Sequence, residues 1–236
     1  MKLRLAMAVM LTIAPLGVSE ARVGMRKFTE AEARQAAKFM GECTVKREHD
    51  LARGFVMAGG DWKALNVRRD RIVQNECLPK SNMVTLMTND AYAGAIAEAL
   101  IHADGVGTPS ASAVASSALT YPEPTPVRTT DKSGQPLSQD KIDSQNKGIE
   151  RRMIANNRLR LGECIVRREA ALSRGILDTQ LDTPSELAAI KALVPAMTQC
   201  LPSGQTVGFD RATLRNAIAV AVYRLSQAPA ANGANS

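Results

Sequence analysis

The chain has 236 residues, of which 45% are hydrophobic and only 3% aromatic, and it carries 30 basic residues against 23 acidic ones. An alanine-rich composition with so few aromatic residues favours packed α-helices over a β-sheet. The scarcity of aromatic stacking partners also argues against a nucleic-acid-binding protein, despite the net positive charge.

The N-terminus has the pattern of a secretory signal peptide. Positive charges precede an apolar run over residues 5–18, and the small residues Ser19 and Ala21 follow it. These features predict a signal peptide over residues 1–21 that is cleaved after Ala21, with an uncleaved anchor as the alternative. We therefore expect an exported protein, located in the periplasm or outside the cell.

One motif occurs twice. Gly-Glu-Cys at 41–43 opens a stretch that recurs at 162–164, an offset of 121 residues (162 minus 41), and Cys-Leu-Pro follows each copy at 77–79 and at 200–202. The first stretch recurs without a gap, and Cys-Leu-Pro follows it in each copy after a loop of variable length, so we predict a tandem duplication. The predicted fold is all-α, with two homologous three-helix units that have their own disulfides and are joined by a disordered linker; the units cover residues 22–103 and 147–227.

The four cysteines lie at the start and the end of each copy. In an exported chain this usage predicts disulfides rather than free thiols, and pairing within each copy is favoured because a single ancestral unit had only two cysteines. We expect the disulfides Cys43–Cys77 and Cys164–Cys200 rather than either of the two other connectivities.

A zinc site is the alternative use of the same cysteines. It is the weaker interpretation, because the chain has no C-x-x-C spacing and its two histidines, His49 and His102, align with Ala170 and Arg224 in the second copy. No metal and no cofactor is therefore predicted.

The first helix of each copy is predicted from its cap and its periodicity. Thr29 and Glu32 form a capping box, and the helix is expected to continue to about Gly54. Helical spacing places five residues of the first copy on one stripe that should face the core: Met40, Cys43, Arg47, Leu51 and Gly54. The corresponding stripe of the second copy is Leu161, Cys164, Arg168, Leu172 and Gly175.

Two further helices are expected in each copy. The second should run from about Trp62 to Cys77 and, after the cap Thr183, from Pro184, with a kink at Pro195. After a short connection that is briefly extended, the third should begin near Thr88 and Asp210, and its small residues predict the inner helix of each unit.

The copies are separated by a segment rich in Pro, Ser and Gly. Residues 104–146 have low hydrophobicity and alternating prolines, so they are predicted to be a flexible linker. The tail at 228–236 consists mainly of small residues and is predicted to be disordered.

Positive charge is concentrated in the second copy. Residues 147–236 carry 12 basic and 7 acidic residues, against 13 and 10 in residues 22–103. Four arginines on the helix that leads to Cys164 are candidate anion-binding residues: Arg151, Arg152, Arg158 and Arg160. An anionic envelope polymer, a lipid surface or another envelope protein would be the partner, and a merely solvated face is the alternative.

An arginine and a glutamate are repeated after each first cysteine. Arg47 and Arg168 could bind an anion, and Glu48 and Glu169 could act as acid or base. The alternative is structural, with each arginine lying along the apolar seam near the disulfide and each glutamate forming a surface ion pair. The structural interpretation is favoured for a position that is duplicated.

The sequence contains no recognisable catalytic motif. A phosphate-binding Gly loop, H-E-x-x-H, G-x-S-x-G and a calcium loop are all absent. The Gly-Glu-Cys and Cys-Leu-Pro pattern resembles that of a set of exported bacterial proteins to which no activity is assigned. We therefore expect a non-enzymatic binding or scaffolding module of the bacterial envelope, with an envelope-directed hydrolase as the alternative.

Overall fold

The computed structural model describes residues 29–65, 75–77, 88–201 and 210–228. These residues form α-helices and one short 3-10 helix, Asn75–Cys77, and contain no strand. The all-α prediction is thus confirmed for the described residues. The helices are α1 Glu30–Arg47, α2 His49–Met57, α3 Asn89–Ala103, α4 Ala111–Val114, α5 Gln139–Arg168, α6 Ala170–Leu177, α7 Pro184–Cys200 and α8 Arg211–Ser226.

Several helices begin at the predicted caps. Thr29 completes the capping box of α1, since its hydroxyl accepts from the backbone N–H of Glu32 and its own N–H donates to the Glu32 carboxylate. The Thr183 hydroxyl accepts from the N–H of Glu186 at the start of α7. At α8, a carboxylate oxygen of Asp210 lies 2.6 Å from the backbone nitrogen of Thr213. Such caps stabilise a helix by about 1 kcal/mol each.

The expectation of one continuous helix through Gly54 is wrong. Glu48 leaves the helical region at φ −139° and ψ 55°, and Glu169 does so at φ −137° and ψ 61°, so a new helix begins after each. Neither residue is Gly or Pro, and helix propensity gave no signal of a break. Burial of Phe55 and Ile176 in the core by the following helices stabilises these breaks.

The predicted core stripe is also only partly correct. Met40 is buried, but Cys43 is half-buried and Arg47 is exposed, while Gly41 and Thr44 face the core instead. The prediction assumed a straight helix that continues to Gly54. The helix instead breaks at Glu48, so the helical spacing does not extend beyond it.

Both predicted disulfides are present. Cys43 is joined to Cys77 and Cys164 to Cys200, with sequence separations of 34 and 36 residues. Each links the helix that carries the Gly-Glu-Cys motif to a segment that follows the helix break. In the loop-entropy model, closing loops of this length stabilises a fold by roughly 3–4 kcal/mol per bridge.

Some predictions fall outside the described residues. These are the signal peptide, most of the second helix of the first copy, both short extended connections and the tail beyond 228. The second helix of the other copy is present as α7, which continues through Pro195 without being split. Among the described residues, no helix is both long enough and apolar enough to cross a bilayer.

The two predicted inner helices pack against each other at the centre. Most residues of α3 from Tyr92 to Ile101 are buried, as are nearly all residues of α8 from Leu214 to Leu225. One hydrophobic cluster contains residues of both copies, from Met40 and Phe55 to Ile165 and Tyr223. The copies therefore share a single core.

Glycines allow the helices to approach closely at three crossings. A Cβ built on Gly41 would lie 2.3 Å from the carbonyl oxygen of Ala95, and one on Gly162 would lie 2.4 Å from that of Ala217. A Cβ on Gly94 would lie 2.2 Å from the Cβ of Asn216. Thus α1 crosses α3, α5 crosses α8, and α3 crosses α8 at distances that no larger residue permits.

The expectation of a disordered linker needs correction. Leu119 and Tyr121 pack against the core, and residues 115–122, which we call the strap, are hydrogen-bonded to α5 and α8. The low hydrophobicity of the segment suggested disorder. In the structure, polar side chains of α5 and α8, Glu163 and Arg224, hold the strap through hydrogen bonds. The helix after it also begins earlier than expected, at Gln139.

We expect Gly41→Ala and Gly162→Ala each to lower the free energy of unfolding by about 2–3 kcal/mol, because the added methyl group would displace a helix backbone. Gly148→Ala is the matched control on α5, since a Cβ there meets nothing within 4 Å. Alanine has the higher helix propensity, so this variant should be as stable as the wild type or more stable. Urea denaturation measures all three, and equal stability of the three variants would contradict the crossings.

Candidate binding groove

A groove lies between α1, α3 and α8. It encloses about 460 Å³, including space open to solvent. Alanines from all three helices line it, namely Ala37, Ala95, Ala99 and Ala212. Charged or polar side chains surround this small-residue surface, including Lys38 and Glu42 of α1 and Glu98 and His102 of α3. The groove is therefore shallow and open, with hydrogen-bonding groups along its edges.

Buried charges lie at one end of this groove. Arg215 of α8 pairs with both carboxylate oxygens of Glu98 at 2.8 Å and with Glu186 at 3.0 Å. Arg34 of α1 contacts Glu186 and Asp182. Arg34, Arg215 and Glu186 are almost completely buried. The network joins residues of α1 and α3 to residues near α7 and α8, and so connects the two copies.

Glu186 and Arg215 are held in their ionised forms. Burial opposes ionisation of Glu186, but hydrogen bonds from Arg34 and from the backbone of Asp182, with the charge of Arg215, keep the pKa of Glu186 below its usual range. For Arg215, burial acts against the charge, but Glu98 and Glu186 outweigh it and raise the pKa of the guanidinium. These groups are thus suited to holding helices together, not to exchanging protons near neutral pH.

Sequence reasoning missed this network. Its signal was present, since Arg215 begins the mainly apolar stretch to Leu225 and Arg34 lies among alanines in the first helix. A charge at a buried helix position requires a partner. The partners themselves could not be deduced, because Glu98 and Glu186 are 117 and 29 residues from Arg215.

A histidine–carboxylate pair lies elsewhere, at the end of α3. Nε2 of His49 is 2.7 Å from an Asp104 oxygen, and the Tyr223 hydroxyl donates to the other oxygen at 2.9 Å. The hydrogen bond with Asp104 raises the pKa of His49, although burial acts in the opposite direction. The His49 side chain is 44% exposed and lines neither the groove between α1, α3 and α8 nor the one where α3, α5 and α8 meet. The pair is therefore more open to solvent than a buried general acid or base would be.

Three of the four predicted anion-binding arginines are engaged with carboxylates. Arg152 pairs with Asp61 at 3.4 Å, Arg158 with Asp90 at 3.2 Å, and Arg160 with Glu123 at 4.0 Å. Arg151 is exposed. The concentration of positive charge inferred from α5 alone is thus offset by acidic residues from other parts of the chain.

The repeated Arg47 and Arg168 lie beside the disulfides. Arg47 pairs with Glu76 at 3.4 Å, and Arg168 donates to the side chain of Gln199 at 2.5 Å. Glu76 and Gln199 each immediately precede the second cysteine of a disulfide. This equivalence supports the structural interpretation of the two arginines.

The repeated glutamates occupy the two helix breaks. The Glu48 carbonyl accepts from the backbone N–H of Ala52, and the Glu169 carbonyl accepts from that of Ser173. Their backbones thus begin α2 and α6, which is a structural role. Among the described residues, no three His, Cys, Asp or Glu side chains are grouped to hold a metal ion.

A second, smaller groove lies where α3, α5 and α8 meet. It encloses about 260 Å³ and is lined by Asp90, Arg158 and Asn216, among others. The Arg158–Asp90 ion pair crosses it, so its charged groups already have partners.

Comparison of the chain with family models, with curated proteins and with solved structures returned no match.

We expect the stability of the protein to decrease as the pH rises above about 6.5, the unfolded pKa of histidine. The pKa of His49 is higher in the folded state than its unfolded value, so protonation stabilises the fold. This contribution is complete below the unfolded pKa of about 6.5 and is lost as the pH passes the folded pKa. Chemical denaturation at several pH values measures it.

His49→Gln should remove this pH-dependent part, and Asp104→Asn should do the same because it removes the carboxylate that favours the imidazolium. A His49→Gln variant whose stability still falls by the wild-type amount over this pH range would show that the pair does not form.

Proposed function

We propose that this chain is an exported, non-enzymatic binding or scaffolding module of the bacterial envelope, and that it binds its partner at the groove between α1, α3 and α8. The observation that carries the proposal is the groove itself. Its edges present exposed Lys38, Glu42 and His102, whereas the buried charges at its end are already paired with one another. An open surface with available edge groups is suited to binding a partner.

A hydrolase acting on an envelope component is the second candidate. The His49–Asp104 pair is the observation that favours it, since such a pair is the usual core of a general base. Against it, the His49 side chain is 44% exposed and lines neither of the two grooves described above. Turnover of a purified envelope component that is lost in His49→Gln would establish the hydrolase.

The proposal includes an origin by tandem duplication. Four features recur at matching positions: the backbone of Glu48 and Glu169, the glycine crossings at Gly41 and Gly162, the two disulfides, and the arginine beside each disulfide. Equal local structure in two stretches of matching sequence is what duplication of one ancestral unit would leave.

Export is proposed from the first 21 residues together with the disulfides. Structural disulfides persist in oxidising compartments such as the periplasm.

Among the partners considered, another envelope protein is favoured over an anionic polymer or a lipid surface. The arginines that would attract an anion largely face carboxylates of the same chain, which reduces the field outside it.

Photo-crosslinking in living cells tests the proposal. A benzoylphenylalanine at Lys38, which lines the groove, should give an adduct of defined mass with a partner. The same residue at Leu172, an exposed position of α6 that does not line the groove, is the matched control and should not. Absence of an adduct from position 38, or identical adducts from both positions, would contradict binding at the groove.

A further inference from the structure

The groove has a counterpart in the other copy. Gly41 of α1 lies against the carbonyl of Ala95 in α3, and Gly162 of α5 lies against the carbonyl of Ala217 in α8. Counting from these contacts, Glu42 corresponds to Glu163, since each follows its glycine. His102 corresponds to Arg224, since each lies seven residues after its alanine.

In the second copy this surface is covered by the strap. The Glu163 carboxylate accepts from the backbone N–H of Leu119 at 2.9 Å and from the Tyr121 hydroxyl at 2.6 Å. Arg224 donates to the carbonyl of Thr120 at 2.7 Å, and its guanidinium lies 5.3 Å from the centre of the Tyr121 ring. A carboxylate and a cation thus hold an extended tyrosine-containing segment.

The end of the strap is also received by the opposite copy. Pro122 lies against Gly59, in the turn after α2, where a built Cβ would be 3.1 Å from the proline ring. The open groove has a similar end, because Leu181, in the loop after α6, lines it. The two surfaces therefore share a glutamate at one edge and a loop of the opposite copy at the end. His102 and Lys46 occupy the positions of Arg224 and Arg167, the two arginines that donate to carbonyls of the strap.

In the first copy the corresponding groups line an open groove. The Glu42 side chain is 56% exposed and its ion pair with Lys38 is a long one, at 3.9 Å. His102 is exposed as well. Lys38 occupies the position of the buried Leu159, which adds a positive charge to this groove. The groove thus offers the same acceptor and a donor at the corresponding positions, and none of the segments that the structure describes covers it.

We infer that this groove binds an extended peptide segment of a partner protein that carries a tyrosine followed by proline. The Glu42 carboxylate accepts from the tyrosine hydroxyl and from a peptide N–H, and His102 donates to a peptide carbonyl. Lys38, at the position of Leu159, adds a positive charge to the groove and so favours a peptide that carries an acidic residue. The inference rests on the proposed function and specifies its partner.

The strap supplies the probe. A fluorescent peptide of residues 117–126, Ser-Ala-Leu-Thr-Tyr-Pro-Glu-Pro-Thr-Pro, should bind the full chain saturably when measured by anisotropy. Glu42→Gln should weaken binding by about tenfold or more, because hydrogen bonds to a charged acceptor are among the stronger ones. Replacing the peptide tyrosine with phenylalanine should weaken it similarly. Glu150→Gln, an exposed glutamate of α5 outside both grooves, is the control and should not change the affinity.

Further variants separate the outcomes. Binding lost in Glu163→Gln but kept in Glu42→Gln would mean that the peptide replaces the strap in its own site, which overturns the inference. If the wild type dimerises and Glu42→Gln abolishes the dimer, the groove binds a second molecule of this chain. That result would contradict the inference that it binds a different protein. If the peptide shows no saturable binding, the peptide inference is wrong. The proposed function survives that result if the crosslinked adduct from position 38 is still found. If that adduct is missing as well, the proposed function and the peptide inference both fail.

Discussion

The structure depends on the close crossing of helices at glycines. Where Gly41 meets Ala95 and Gly162 meets Ala217, backbone touches backbone, and there is no room for a methyl group. Small residues permit this approach, and a third crossing at Gly94 brings the two inner helices together. The same crossings fix the positions of Glu42 and Glu163, the residues next to two of these glycines. The geometry of the candidate groove therefore follows from the packing.

The buried ion network fixes the relation between the copies in another way. Buried ion pairs add little net stability compared with apolar packing, but removing one partner is costly because a buried charge is left alone. Separating the copies would therefore leave Arg34 and Glu98 of the first copy without the partners that they have in the second. Arg215 and Glu186 of the second copy would keep their contact with each other but lose those to Glu98 and Arg34.

Local signals in the sequence predicted much of the fold. The capping box at Thr29, the cap at Asp210, the helical composition and both disulfides all depend on neighbouring residues or on a count of cysteines. The breaks at Glu48 and Glu169 could not be predicted, because they are stabilised by distant core contacts and not by Gly or Pro. The strap was misjudged for a related reason, since its receptors Glu163 and Arg224 lie far along the chain.

In the candidate site, too, local sequence was predictive, whereas contacts between distant residues were not. The repeat predicted where Glu42 and Glu163 correspond, but not that one lines an open groove and the other is covered. The anion-binding hypothesis counted arginines along α5 and could not include Asp61, Asp90 and Glu123, which approach from elsewhere in the chain. Charge along a single helix is therefore a poor guide to the field around a folded protein.

The two copies share one core and should therefore unfold as one body. Differential scanning calorimetry of the disulfide-intact protein measures this, because a shared core and an ion network across the copies couple their unfolding. We expect a single transition in which the calorimetric and van't Hoff enthalpies agree. Two resolved transitions, or a calorimetric enthalpy about twice the van't Hoff value, would show two independent units on a linker and exclude a shared core.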